Sequence, residues 1–545
     1  MAFDTKNLRG DLSGGLVAGI IALPLALAFG VQSGLGAAAG VYGAIAVGVL
    51  AAAFGGTKPQ ASGPTGPMTV VSASIVAYAI AQAGSIEAGL GLILACFLAG
   101  GVLQILLGLF GVGKYIRYFP YPVVSGFMSG VGLIIIVLQL WPLLGSGSPK
   151  STIEVFARID EPLAALNPAA LGLGFATLAV NYLFPRVTKA VPSVLVALLF
   201  GTGASLLLGL SVPTIGDIPS GLPPFELGAI LSVDLAHAGF ILSSGVTLAL
   251  LGSIDSLLTS VIADNITKDR HDSRRELIGQ GIGNIGAALI GGIPGAGATK
   301  GTVVNINAGG RTRLSGVVHG LFQLAALLGL GAFVSYIPLC VLAGLLISVG
   351  VAIIDYRGIG HLRQIPRADA VVMVVVLIWT VFGNLIYAVS AGIALSSLLF
   401  MKQAGDVAEA KTSVTKLKPE EAWPDESSLP VVSNIYVKHL YGPMFFGFTS
   451  GFRALAEALP EETDLLVVRM DRVPSMDQSG LYVIEDTFLR LNEVGKRIAL
   501  IGLDPQPDDM LRLIHVIPNL VPEEMVFATI EDFREWLRGV DCDLL

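Results

Sequence analysis

With 545 residues, of which 53% are hydrophobic and only 14% charged, the chain lies outside the composition of soluble globular proteins and reads as a polytopic membrane protein. The formal net charge is −8, and beyond residue 402 there are 13 Lys plus Arg against 25 Asp plus Glu, which argues against a nucleic-acid partner. The stretch before the first apolar run, "MAFDTKNLRGDLSGG", lacks the small-residue cleavage site of a signal peptide, so that run is expected to stay as a membrane span.

Apolar runs of about 20 residues, the length that crosses a bilayer, predict fourteen spans. They fall at 12–30, 36–54, 66–84, 88–111, 121–144, 169–185, 190–210, 240–263, 276–293, 299–308, 313–335, 337–354, 368–385 and 387–402. Loops after even-numbered spans hold Lys58; Lys114 and Arg117; Arg186 and Lys189; Lys268, Arg270, Arg274 and Arg275; Arg311 and Arg313; and Arg357, Arg363 and Arg367. The loop after the seventh span has no Lys or Arg. By the positive-inside rule both termini are cytoplasmic, in the cell's inner (plasma) membrane. Lys150 and Arg158 run against this pattern, but they sit among Glu154, Asp160 and Glu161 and do not reverse it. Cys96, Cys340 and Cys542 match no metal or redox spacing, and no disulfide is expected.

Two spans are interrupted at their heads. "ASGPTGPMTVVSASIVAYAIA" begins at Ala61 and "GIPGAGATKGTVVNI" at Gly292, and each runs from small residues and Pro into a Thr-Val-Val helix. Lipid cannot satisfy such a backbone, so it must face protein, water or a ligand. The two lie in spans three and ten, seven apart, and an odd offset inverts the second copy. Paired interrupted spans in inverted halves point to a transporter's midplane site. Two facing helix starts offer unpaired N–H groups and partial positive charge, an anion site without basic side chains. Thr65, Gly66, Thr69, Ala298 and Thr299 would line it, with Lys300 able to add a full charge. The competing reading is that the glycines only permit tight helix crossing.

Span eight carries Asp255 deep in apolar sequence, with Thr259 one turn on and on the same face. Carboxylate, hydroxyl and unwound carbonyls are donors suited to a coupling Na⁺; a proton carrier and an ion pair with Lys300 are the alternatives.

After Lys402 the sequence turns polar, and residues 403–429 read as a linker, following a transport domain at 1–402. Residues 430–545 read as soluble α/β, with strand, helix and strand in succession. The strand, the "MDQSG" turn (Met476 to Gly480) and the helix after it resemble a STAS domain. That resemblance makes Ser479 a candidate regulatory phosphorylation site; the alternative is that Asp477 and Ser479 cap the helix.

"RGDLSGGLVAGIIALPLALAFG", "GPTGPMTVV", "YPVVSGFMSGVGLIIIVLQL", "SIDSLLTSVIAD", "ELIGQGIGN" and "GAGATKGTVVNINAGGRTRLSG" are similar, in that order, to the SulP anion transporters, and most like their BicA-type sodium-dependent bicarbonate members. The resemblance implies a seven-plus-seven inverted repeat of core and gate domains, elevator-like transport, and a homodimer held largely through STAS domains. It implies a sodium site at Asp255, Thr259, Gly297, Ala298 and Thr299, with bicarbonate beside it between spans three and ten. Lys300 and Gly63 depart from the BicA-like pattern, which has an uncharged residue and Glu there. The expectation is therefore a secondary transporter, not an enzyme: sodium-coupled bicarbonate symport first, then a SulP carrier of sulfate, a dicarboxylate or chloride, with or without proton coupling. A STAS-based membrane receptor is the reading from another class.

Overall fold

The structure is a computed structural model that describes residues 7–114, 120–149, 151–188, 191–216, 221–383, 385–411, 413–416, 434–445, 459–460 and 463–539. Arg117, Lys150, Lys189 and Cys542 lie outside the described residues. The chain divides into two compact units, 1–393 and 394–545.

Each predicted span contains a helix. In chain order these are α1 (Leu8–Ser33), α2 (Ala37–Phe54), α3 (Gly66–Ala83), α4 (Ile86–Leu109), α5 (Tyr121–Leu138), α6 (Pro168–Leu183) and α7 (Ser193–Leu207). The second set is α8 (Ala238–Thr267), α9 (Ser273–Leu289), α10 (Thr299–Asn307), α11 (Arg313–Val334), α12 (Leu339–Ile353), α13 (Arg367–Phe382) and α14 (Leu385–Lys411). Leu199, Leu206, Leu242 and Leu321 are exposed. On a lipid-facing surface such residues cost nothing.

The inverted repeat is written in the close contacts of its glycines. A methyl on Gly101 of α4 would meet the Gly281 carbonyl of α9 at 2.8 Å, and one on Gly281 would meet the Gly101 carbonyl at 2.5 Å. The same reciprocity recurs seven spans away, where Gly48 of α2 and Gly320 of α11 would each meet the other's backbone, at 3.0 and 2.9 Å. Gly132 of α5 and Gly350 of α12 form a third mutual pair, at 2.6 and 2.7 Å, and under a seven-span offset that pair maps onto itself. Without a hydrophobic drive between helices in lipid, such backbone approach supplies the packing.

The interrupted segments meet at the centre of this unit. Strand β1 (Ser62–Gly63) pairs antiparallel with β2 (Ala296–Gly297), Ser62 opposite Gly297 and Gly63 opposite Ala296. Gly295 is required here, since a methyl would lie 2.2 Å from the Gly63 carbonyl. Helix α3 starts at Gly66 and α10 at Thr299, directly beyond the two strands, so both N-termini face one spot. Helix α10 has nine residues, about 14 Å at 1.5 Å per residue against a hydrocarbon core of about 30 Å. It therefore begins inside the membrane.

The second unit holds a five-stranded sheet in the order β3 (Ser413–Lys416), β4 (Ile435–His439), β5 (Leu465–Arg469), β6 (Arg497–Ile501) and β7 (Val526–Phe527). β3 is antiparallel to β4 and the other neighbours are parallel. Its apolar core includes Leu465 to Val468, Phe488 on α15 (Gln478–Glu493) and Phe533 on a C-terminal helix.

Two sequence expectations change here. The span of residues 403–429 was expected to be linker, with the α/β domain starting at 430, but α14 continues to Lys411 and Ser413–Lys416 is already a strand of the sheet. Polarity ends the apolar run at Lys402, yet Ala404, Ala408, Glu409, Ala410 and Lys411 are strong helix formers and carry the helix on. At α15 the cap is Asp477 alone, whose carboxylate accepts the Gly480 N–H at 2.8 Å, while half-buried Ser479 is the second helical residue.

Candidate anion and cation site

The loop leading into β1 is fixed by a buried carboxylate. Glu276 of α9 is 1% exposed. Its Oε2 accepts the N–H groups of Gly56 and Thr57 at 2.9 and 2.8 Å, and its Oε1 accepts the amides of Gln60 and Gln280, both at 2.8 Å. The Gln280 amide reaches on to Ser62 Oγ of β1 at 2.7 Å. Ser260 Oγ donates to Gln60 Oε1 at 3.0 Å and tethers the same loop to α8.

The other strand is held from α8 and α9. The Gly297 N–H donates to Ser256 Oγ at 3.0 Å, and the Gly295 N–H to Asn284 Oδ1 at 2.8 Å. Thr259 Oγ1 donates to the Gly297 carbonyl at 2.9 Å and lies 2.7 Å from Thr299 Oγ1. Ala61 and Thr302 join the two segments, the Ala61 N–H meeting Thr302 Oγ1 at 3.1 Å. Almost every polar group around the strand pair thus has a partner.

The exceptions include Gln280 Oε1, Asn305 Oδ1 and a group at the start of α3 and on α8. Thr65 Oγ1, Thr69 Oγ1 and Asp255 Oδ2 are buried and make no hydrogen bond of ordinary geometry among the described residues, although the Thr65 hydroxyl lies near enough to the Asp255 carboxylate to interact with it. Buried polar atoms left unpaired in a native fold mark sites completed by water, an ion or a ligand. Beside them opens a cavity of about 310 Å³, walled by α1, the two strands, both helix starts, α11 and α12. Thr65, Gly66, Asp255, Gly297, Ala298, Thr299 and Lys300 all line it.

The geometry refines the sequence reading at four positions. Thr69 and Thr259 are fully buried and do not form the cavity wall. Thr69 lies one turn inside α3, its N–H bonded to the Thr65 carbonyl. Ala298 is on the wall, but its N–H is spent on the Ala61 carbonyl at 2.9 Å, so the free amides of α10 belong to Thr299, Lys300 and Gly301. Lys300 is exposed and, among the described residues, makes no ion pair with Asp255.

Sequence reasoning missed His319 of α11, Phe29 of α1 and the Val349, Ala352 and Ile353 wall of α12. His319 was findable: an ionisable residue within a span is a functional candidate by default. The apolar wall residues carry no signal that separates them from ordinary packing.

An inverted repeat whose broken spans meet at a partly unpaired polar cluster, with a carboxylate and a cavity at membrane depth, defines a secondary transporter. Residues 8–376 match the sulfate permease family and residues 426–533 the STAS domain. The chain is 36% identical to the bicarbonate transporter BicA of Picosynechococcus sp. over 98% of its own length and 96% of that protein's. It superposes on the transmembrane domain of a cyanobacterial BicA at 40% identity and TM-score 0.65, covering 72% of this chain and 98% of that one. The structure of SLC26A9 shares the fold at 17% identity and TM-score 0.84, over 98% of this chain and 91% of the other. The chain belongs to the sulfate permease family; it is a multi-pass membrane transporter with a C-terminal STAS domain, not an enzyme.

Proposed function

We propose that this protein is a sodium-coupled bicarbonate symporter. The observation that carries the reading is the unpaired Asp255 Oδ2 on the wall of the central cavity, beside the meeting point of two helix starts. The likeness to BicA supports the choice of bicarbonate. Asp255, Thr259, the Gly297 carbonyl and Thr299 offer hard oxygens to Na⁺, with Ala298 closing the turn between them. Thr65, Gly66, Thr299 and Lys300 face the anion, and Thr69 supports Thr65 from within α3. Sodium cancels the Asp255 charge and removes its repulsion of the neighbouring anion, so each ligand raises the other's affinity.

The core then carries both ligands across by an elevator-like movement. The protein sits in the inner membrane with both termini in the cytoplasm, as a homodimer held through its STAS domains. Phosphorylation of Ser479 would place negative charge in the first turn of α15, where the helix dipole favours it.

Uptake of labelled bicarbonate, sulfate, fumarate and chloride into proteoliposomes, with and without an inward sodium gradient, tests the reading. Bicarbonate uptake driven by sodium is the expected result. Lys300 favours a second reading, a carrier of a more highly charged anion such as sulfate or a dicarboxylate. Sodium-independent sulfate or fumarate uptake exceeding that of bicarbonate would establish it.

A further inference from the structure

We propose that His319 is a direct ligand of the transported anion, donating a ring N–H hydrogen bond to one of its oxygens; this rests on the central cavity being the anion site. His319 lies two turns into α11 and lines the cavity with Thr65, Thr299 and Lys300. It is 2% exposed, and its Nδ1 has no hydrogen-bond partner.

The packing shows why Nδ1 stays unpaired. The ring lies over Gly48 of α2, where an added methyl would come within 3.2 Å of Nδ1. Protein closes that side of the imidazole, which leaves Nε2 as the nitrogen able to serve the cavity. A ring with Nδ1 sealed in without an acceptor favours the tautomer that carries its proton on Nε2. The cavity therefore receives a donor.

The surrounding walls give that donor its purpose. Helix starts α3 and α10 supply N–H groups from two opposed sides, whereas Ile21, Ala22, Leu25, Val349, Ala352 and Ile353 are apolar. A planar oxyanion such as bicarbonate has oxygens pointing in three directions, and two helix starts cannot reach all of them. A third donor on α11 completes the shell, and it would favour an oxyanion over a spherical halide. A ring that merely filled space would not need a nitrogen, and an unpaired one is costly at membrane depth.

The test compares His319→Leu with His319→Gln, whose amide can place a donor near the Nε2 position. In proteoliposomes His319→Leu should raise the bicarbonate KM at least about tenfold, as expected for losing a hydrogen bond to a charged group, with its sodium dependence retained. His319→Gln should restore KM to near the parent value. Equal KM increases in both variants with unchanged thermal stability, or a parent-like KM in His319→Leu, would overturn the proposal. If His319→Leu fails to fold, ¹⁵N-histidine labelling of the unmutated protein decides: bicarbonate should shift the ring signal that disappears in His319→Gln, and an unmoved signal rejects the role. Asp255→Asn runs alongside. Lost transport there with a parent-like His319→Leu refutes this proposal alone, whereas parent-like transport in both refutes the cavity as the anion site.

Discussion

Replacing Glu276 by Gln tests whether a buried carboxylate positions the anion site from a distance. The carboxylate accepts four hydrogen bonds, two on each oxygen. In the amide, one oxygen becomes an NH₂ group, and in either orientation that group faces two donors. With nitrogen toward Gly56 and Thr57 it opposes backbone N–H groups that cannot turn. With nitrogen toward Gln60 and Gln280, only Gln280 can flip cheaply, because its Oε1 has no partner. That flip makes the Ser62 hydroxyl turn from acceptor to donor, and Gln60 can follow only if the Ser260 hydroxyl, already bonded to Ser256 and Thr57, accepts from it instead of donating. About two charge-assisted bonds are lost at roughly 1.5–3 kcal/mol each, partly offset because a neutral side chain costs less to bury. A net destabilisation of about 3 kcal/mol is expected. The loosened segment is the one that sets β1 and the start of α3, so bicarbonate KM should rise about tenfold. Thermal unfolding in detergent and proteoliposome uptake read the two effects. A Glu276→Gln protein with the parent's unfolding midpoint and KM would refute the reasoning.

Lys300→Met should raise the anion KM about tenfold, since it removes a full charge from the wall of a cavity at membrane depth, and should leave sodium dependence intact; much tighter sodium binding with unchanged anion affinity would mean that Lys300 pairs with Asp255 in the working protein. Removing everything after Lys411, where the described helix ends, should weaken dimerisation measured by light scattering while sparing anion affinity. Equal loss of affinity in a folded truncation would contradict the separation of the two units. Burial pushes the Asp355 carboxyl up, but hydrogen bonds from Ser125, Tyr121 and the Gly358 amide outweigh it and hold the group below its ordinary value. A carboxyl whose folded pKa is depressed contributes stability that is present above its unfolded pKa and is lost as pH falls through the folded one. Asp355→Asn should therefore lower the unfolding midpoint at neutral pH and narrow its gap from the parent protein below about pH 4; a constant gap across that range would reject the assignment.

Much of the membrane unit was legible because hydrocarbon imposes one rule on every span, and fourteen apolar runs became fourteen helices. The site's centre was legible for the opposite reason. Gly, Pro and Thr at Ala61–Thr69 and Gly292–Thr299 broke that rule, and the structure pairs those two breaks as β1 and β2. What stayed hidden depends on distance along the chain. Nothing in "RRELIGQG" says that Glu276 will accept the N–H of Gly56, 220 residues earlier. His319 was readable as an anomaly within its span, but not as a cavity wall. The expected linker starts too early because polarity at Lys402 ends only the part of α14 suited to lipid, while the helix itself runs on to Lys411.

Sodium binding to purified protein tests the central claim most directly. Titration with labelled Na⁺ in a scintillation proximity assay, with and without bicarbonate, should give saturable binding that bicarbonate strengthens. Asp255→Asn, which keeps an oxygen but loses the charge, should abolish that binding in a protein that still elutes and unfolds like the parent. Sodium binding of parent affinity in Asp255→Asn, or binding indifferent to bicarbonate in the unmutated protein, would contradict coupled transport at this site.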